Sequence, residues 1–513
     1  MLYKRCTTRL PDNELQELIM ISLASFAVAI ILFYLLWRRA LGHKSSLPLP
    51  PGPVGLPLIG NTLDMPITQE WKTFSLWGDK YGPIMHISLL GQHIIILDTL
   101  KAASALLDGK SNIYSDRPVF QMASETMGLK LALVLAPYGP RMREFRRLMH
   151  RLFGTHATLQ PYHESIEVET SRFLVRLLDA PEHFREHVRL TAGSIALKLS
   201  HGYNVQDKDD PFVRLADRGV ESFSLATRPG AFLVDLFPIL RFVPHWFPGT
   251  AWKQKAKEWT ALTNDLEKGT ALPSFTLTHL LDGVENVNVQ RLIDIKWAAS
   301  GIFIGGADTT VSAGVSFFLA MMLYPDVQRK AQAELDAVVG FDRLPCLVDR
   351  PRLRYIEVLI KEVLRWNPVA PLGGPHRVME DDVYNGYRIP KGSTVIANIW
   401  KMLHDEGTYK DPMTFKPERF VDTPEKPAEY DPRGIAFGFG RRICPGITLA
   451  EASLFTTLAM VLSVFDISAP HGDTMPRIPE YSDGTVSHPP TFKCNIIPRT
   501  EAAAALVKAI REN

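Results

Sequence analysis

Cysteine is scarce in this chain: Cys6, Cys346, Cys444 and Cys494 are the four in 513 residues. They lie far apart, with no CxxC pair and no even spacing, which argues against structural zinc and against a disulfide framework. Asn-x-Ser/Thr sequons are absent too, and both absences fit a domain that faces a reducing cytosol. Charge of either sign is nearly balanced at a formal +2, with basic and acidic residues interspersed, so the footprint of a nucleic-acid binder is missing. There is no Ser/Gly linker, no long charge run and no fixed-period repeat to mark a seam. Length alone suggests roughly three domains of about 150 residues, but without seams the expectation is one large domain behind a short N-terminal appendix. A hydrophobic share of 46% and a charged share of 22% permit a large core rather than disorder.

The appendix contains the one long hydrophobic run near a terminus. LIMISLASFAVAIILFYLLW, residues 18–37, carries no charge over 20 residues, and as a helix it spans about 30 Å, the thickness of a bilayer's hydrocarbon core. Tyr34 and Trp37, followed by Arg38, Arg39 and Lys44, provide interface anchors and a stop-transfer signal where a signal peptide would end in small residues. Lys4, Arg5 and Arg9 on the other side tie the positive-inside count. Next comes LPLPPGPVGLPLIGN, whose prolines at 48, 50, 51, 53 and 57 predict an extended, stiff spacer. The expected organisation is a tail over 1–17, a membrane anchor over 18–37, a basic and proline-rich hinge over 38–57 and a folded domain over 58–513.

Helical periodicity dominates the rest, so the expected fold class is mainly α with a minor β part (α+β). MHISL and HIIIL around Gly91-Gln92 read as a hairpin, and DDVYNGYRIPKGSTVIANIW carries Asn385-Gly386, the pair favoured in type I′ turns. A run from about Leu292 to Met322, stopped by Tyr324-Pro325, is apolar on nearly every face and predicts a helix crossing the centre of the protein. Gly301, Gly305, Gly306, Asp308, Thr309 and Thr310 in its middle favour a core helix over a second membrane span.

One cysteine has a setting that suggests chemistry. FGFGRRICPG, Phe437 to Gly446, places Cys444 after Arg441 and Arg442 and before an apolar helical run. Zinc would need partner ligands nearby, and a phosphatase-type nucleophile would need an arginine cradle downstream; neither is present. A helix N-terminus and adjacent arginines are expected to lower the thiol's pKa and so favour a deprotonated metal ligand. Gly438, Gly440 and Gly446 allow tight turning and close approach to a flat cofactor, and Phe437 and Phe439 can cover it.

The pattern F-x-x-G-x-R-x-C-x-G, met by Phe437, Gly440, Arg442, Cys444 and Gly446, resembles the haem-binding loop of the cytochrome P-450 family. In that family the iron of haem b is held by a cysteine thiolate that favours O–O cleavage. The resemblance spans about Pro48 to Arg499 in the family's motif order. GGADTT, Gly305 to Thr310, is similar to the oxygen-activation motif, with Gly305 leaving a groove on the face it shares with Thr309; a mid-helix threonine can also bond back and bend the helix. Family logic assigns Thr309 to hydrogen-bond dioxygen and Asp308 to relay protons. Glu362 and Arg365 in KEVLR, with Arg419 in KPERF, match a structural network that locks the haem loop. Arg442, His376, Arg117 and Arg146 stand where propionate donors are expected, although Met142 replaces a tryptophan common in the family and Gly305 a common alanine.

The resemblance implies a membrane-anchored monooxygenase of the endoplasmic reticulum, single-pass with its catalytic domain in the cytosol. It would take electrons from NADPH through a separate NADPH-cytochrome reductase, with cytochrome b5 as a further donor. The basic run Arg141, Arg143, Arg146, Arg147, His150 and Arg151 is the reductase-docking candidate. DDVYNGYRIPKGS and RWNPVAPLG look most like fungal microsomal members acting on terpenoid, polyketide, indole or polycyclic aromatic molecules. Phe303, Val369 to Leu372 and Pro118 to Leu135 are the expected pocket lining. Two alternatives are a haem-thiolate isomerase or dehydratase acting on peroxides without a reductase, and a non-catalytic haem sensor.

Overall fold

The computed structural model describes residues 47–512 except 207–209, 228–231, 245, 247–248, 268–275, 277–288 and 473–478, together with positions 25, 28, 29 and 32. Apart from those isolated positions, the expected tail, the membrane helix over 18–37 and the first part of the hinge lie outside the described residues. The described chain divides into a small unit, residues 1–49 with 383–388, and a large unit holding the remainder. In the small unit Asn385 and Gly386 both take positive φ, as a type I′ turn requires, and Arg388 N–H donates to Pro48 O at 2.8 Å.

The large unit is helical with small sheets. Its longer helices are α1 (Glu70–Tyr81), α2 (Pro140–Phe153), α3 (His163–Asp179), α4 (Phe184–His201), α5 (Pro211–Ala226), α6 (Ala251–Glu267), α7 (Val289–Ala307), α8 (Thr309–Leu323), α9 (Pro325–Val338), α10 (Arg354–Trp366), α11 (Ile447–Val464) and α12 (Glu501–Glu512). Sequence sets their faces. In α2, Pro140 opens the helix where its missing N–H is harmless, and Met142, Phe145, Leu148, Met149, Leu152 and Phe153 recur at helical spacing and are buried. α8 and α11 are apolar all round and pass through the main core, which also takes side chains from α2, α3, α4, α7 and α10. The segment 289–323 and α11 are long and apolar enough to cross a bilayer, yet both are largely buried in protein.

Four strands form the main sheet in the order β1-β2-β6-β3, with β1 (Ile84–Leu89), β2 (Gln92–Leu97), β3 (His376–Arg377) and β6 (Thr394–Ala397). β1 and β2 pair antiparallel with Ile84 opposite Leu97 and turn at Leu90 and Gly91, both at positive φ. β4 (Asp382–Tyr384) and β5 (Tyr387–Ile389) make the second two-stranded piece; β7 (Phe465–Ser468) pairs with β8 (Asn495–Pro498) in a third. Beyond Pro50 the proline segment is extended, as expected, but is docked rather than free. His86 N–H donates to Pro51 O at 2.9 Å, Asn61 Nδ2 donates to Pro53 O at 3.0 Å, and a side chain at Gly52 would overlap the His86 carbonyl.

The sequence predicts one central helix; the structure has two, broken at Asp308. Thr309 Oγ1 donates to Gly305 O at 2.6 Å, and the competing side-chain bond interrupts the regular ladder at that turn.

Candidate active site

The loop before α11 is held from three sides. Cys444 N–H donates to Phe437 O at 2.9 Å, closing the loop on itself. Gly440 N–H donates to Asp108 Oδ1 at 2.6 Å, and Arg146, reaching in from α2, donates from Nη1 to Ile443 O at 2.7 Å. Gly440 sits at φ 57, where a Cβ would overlap the Leu107 carbonyl oxygen. A Gly440→Ala variant therefore combines left-handed strain of about 1–2 kcal/mol with a backbone clash. It is expected to shift the loop and release the cofactor faster, measured as the rate of haem transfer to an apo-globin acceptor. Phe439 is buried, and Phe437 is half-buried against the main core.

Cys444 keeps accessible surface although protein encloses it. Gly305 is exposed between the buried Phe303 and Ala307, with open space where a Cβ would stand. Surface at both positions leaves open space beside the thiol and beside the central helix. The electrostatics of the thiol differ from the sequence expectation. Burial pushes the Cys444 thiol up, and the Gly446 N–H and the Arg146 charge oppose that without reversing it. Arg441 and Arg442 do not supply the expected charge: Arg441 bonds the Tyr138 hydroxyl, and Arg442 turns away to three backbone carbonyls. A thiol in this setting would lose its proton on binding a metal, since the protein's own charges do not favour the thiolate beforehand.

Arg117 and Arg442 form the most unusual feature of the site. Arg117 donates to Val134 O at 3.0 Å and to Gly374 O and Pro375 O at 2.6 Å each. Arg442 donates to Ser115 O and Ala136 O at 2.7 Å and to Leu133 O at 3.3 Å. Among the described residues neither guanidinium has a carboxylate within ion-pair distance. Burial and the Arg442 charge push Arg117 down to about 9; burial pushes Arg442 down to about 10, helped by Arg146 and opposed by Asp116. Beside them His376 is buried, donates from Nδ1–H to Tyr114 O at 2.6 Å, and is pushed down to about 3 by burial and Arg117. Arg117 is buried and Arg442 half-buried, and Asp116 acts on both from beyond ion-pair distance without restoring either to its ordinary value; a further anion beside them would offset the cost of their burial. The two carboxylates of haem would supply that charge, and guanidinium forks would suit them. The residues present therefore fit the group.

Glu362, Arg365 and Arg419 are brought together as a fully buried lattice. Arg365 grips Glu362 with two bonds, Nε to Oε2 at 2.7 Å and Nη2 to Oε1 at 2.9 Å, and Arg419 Nε reaches Oε1 at 3.2 Å. Lys416 N–H adds a fourth bond to Oε1 at 2.7 Å. The remaining guanidinium protons go to the carbonyls of Leu403, Lys410, Asp411 and Thr414 and to Glu429, 2.7 Å from Arg419. Sequence reading missed Glu429, which no local pattern links to Arg419.

Asp308, at the helix break, is buried and held from outside: His488 Nε2 lies 3.0 Å from Oδ2 and Arg189 Nη1 3.4 Å from Oδ1. Burial alone would raise the carboxyl, but the His488 bond and charge together with Arg189 hold it below its ordinary value. A pocket beside Arg117 is lined by Phe120, Val134, Leu135 and Leu372, from the expected segments, and by Glu70, Phe223, Thr227, Ile396, Gly484 and Thr485, which were not expected. Phe303 does not line it. It packs with Ala196, Leu197, Val213 and Ala307 on the far face of α7, because its phase along the helix differs from that of Gly305. The basic run of α2 is split in the same way: Arg141 pairs with Asp294 at 3.1 Å, Arg146 points inward, and Arg143, Arg147, His150 and Arg151 stay exposed.

A helical domain with a thiol loop held before a long apolar helix, an arginine pair anchored on backbone carbonyls and a central helix interrupted at Asp308 fits the haem-thiolate class of protein. The comparisons give the particular family. The cytochrome P-450 family model matches residues 50–496. The chain is 50% identical over 499 residues to cytochrome P-450 monooxygenase 208 of Postia placenta, covering 94% of this chain and 97% of that one. It is 44% identical over 509 residues to cytochrome P-450 monooxygenase claR of Ampulloclitocybe clavipes, covering 96% and 94%, and 38% identical over 510 residues to monooxygenase ppsD of Aspergillus oryzae, covering 96% of each. The chain belongs to the cytochrome P-450 family. Its enzyme class is that of these relatives, a haem-thiolate monooxygenase.

Proposed function

We propose that this enzyme inserts one atom of O₂ into an apolar organic molecule, of terpenoid, polyketide, indole or polycyclic aromatic type, with electrons from NADPH delivered by a separate reductase. Cys444 would hold haem iron at its sulfur, and Arg117, Arg442 and His376 would hold the propionates. When bound, haem on a thiolate supplies dioxygen activation and oxygen transfer. The protein's own residues do the rest. Phe120, Val134, Leu135, Phe223 and Leu372 exclude water and hold an apolar substrate, with tolerance for similar hydrocarbons because an apolar pocket discriminates weakly. Gly305 leaves room beside the helix, and Thr309 and Asp308 hold and move protons toward the cavity. The exposed Arg143, Arg147, His150 and Arg151 offer a basic face for an acidic reductase.

The helix break carries this reading: a polar Asp308 and Thr309, set at the one interruption of a long apolar helix, are proton-handling equipment that a peroxide isomerase would not use. We also infer attachment to the endoplasmic reticulum membrane through residues 18–37. Exposed Val54, Leu63 and Ile67, and separately Ile239, Phe242 and Trp246, give the large unit apolar surface suited to lipid. The test is turnover of an apolar substrate panel by membranes containing the protein and a reductase, under labelled O₂. NADPH-dependent products carrying one labelled oxygen atom are expected. Rearrangement of hydroperoxides without NADPH, and no labelled product, would replace this reading with the isomerase one.

A further inference from the structure

The contact between Asp308 and His488 is not accounted for by any motif. It is nevertheless built with care. Ser312 Oγ of α8 donates to Ser487 O at 2.5 Å, Ser487 N–H donates to Val369 O at 2.9 Å, and His488 and Ser482 exchange backbone bonds, His488 N–H to Ser482 Oγ at 2.9 Å and Ser482 N–H to His488 O at 2.8 Å. On the far side Arg185 donates to Pro489 O and Pro490 O at 2.9 Å each. Arg185 precedes Arg189 by one turn of α4, so the same helix clamps the loop and pairs with Asp308. Glu186 is the acidic neighbour of these arginines. The His488 side chain is 24% exposed and that of Asp308 11%. His488 is the outer member of its pair with the buried Asp308, and Thr309, the next residue, bonds back to Gly305 O, where the helix leaves open space.

We propose that His488 is the solvent-side proton donor and positioning group of Asp308, an inference that rests on the monooxygenase reading. The Nε2–H bond of the imidazolium breaks and an O–H bond forms at Asp308 Oδ2. The imidazole left behind takes a proton from water at its exposed edge, and no electron moves. Asp308 then turns inward: its O–H bond breaks and one forms at Thr309 Oγ1, whose own proton passes to a water molecule on the Gly305 side, and Asp308 returns as a carboxylate to His488 and Arg189. Arg189 keeps the carboxylate outward between turnovers, so the carboxyl is loaded only from the histidine side.

The experiment uses the full haem-loaded chain in membranes with reductase. His488→Gln retains an N–H donor for Asp308 but cannot take up and release a proton; His488→Phe removes both functions. With the thiolate-type carbon-monoxide spectrum intact, both are expected to lower product per NADPH by about tenfold, below the usual contribution of a positioned acid because water can substitute in part. Hydrogen peroxide should rise correspondingly, and the solvent deuterium isotope effect should grow. The contact itself is read without turnover, by peptide mass analysis of diethyl pyrocarbonate labelling at His488. Labelling is expected to be about tenfold faster in Asp308→Asn, as for loss of a charge-assisted hydrogen bond. His488→Gln matching wild type in coupling and isotope effect would reduce His488 to a structural hydrogen bond and leave the monooxygenase reading standing. Labelling unchanged by Asp308→Asn would also overturn the proposal. A wild type with no NADPH-dependent product would overturn both readings together.

Discussion

Cys444→Ser protein is expected to show no red-shifted Soret band in the reduced carbon-monoxide difference spectrum, and its NADPH-dependent product should fall to background. Only a thiolate is a strong soft ligand and electron donor here, and a serine hydroxyl cannot ionise in its place. The rest of the site is untouched by the change. Arg117, Arg442 and His376 are anchored on backbone carbonyls rather than on the loop's sulfur, so the variant should still take up haem, with its pigment shifted to a form lacking the thiolate signature. That combination separates loss of the ligand from loss of the fold. A variant that keeps the red-shifted band would remove Cys444 from the metal and return its loop to a structural role.

Glu362→Gln should be the most destabilising single change outside the thiol loop, at about 3–5 kcal/mol, the range for breaking a buried ion pair by removing one partner. The carboxylate accepts four bonds, two from Arg365 and one each from Arg419 and Lys416 N–H. Glutamine preserves the shape but removes the charge shared by two guanidiniums, which are 0% and 1% exposed and have no route to water. Domains are stable by only about 5–15 kcal/mol, so much of the variant should accumulate without haem, and its melting temperature in membranes should fall by several degrees. A loss of under about 1 kcal/mol, the scale of a surface pair, would mean that Glu429 compensates Arg419 and the backbone carbonyls suffice for Arg365.

Features that depend on neighbouring residues in the chain were legible in advance. Asn385-Gly386 and the turn before Gln92 announce hairpins because their backbone angles suit few other residues, and the α2 face is set by spacing alone. The thiol loop was legible because its glycines, arginine and cysteine occupy fixed places within ten positions. The Glu362 and Arg365 pair was suggested by its apolar surroundings, and burial of both follows from the face of α10 they share.

Residue identity and order thus decide that there is one candidate metal thiol, one polar interruption in a long apolar helix and a mainly helical domain with small sheets. Distances across the chain were beyond such rules. Arg146 could serve the cavity or the loop until α2 was docked, and it went to Ile443. Phe303 could face either way until the phase of α7 was set, and it went to the core. Burial raises the Cys444 thiol although its sequence neighbours are basic, because both arginines find partners elsewhere. Glu429 and His488 are unremarkable in the sequence, ten and 180 residues from the groups they contact. A side chain's charge environment is summed over everything packed around it, and most of that packing comes from segments far away along the chain.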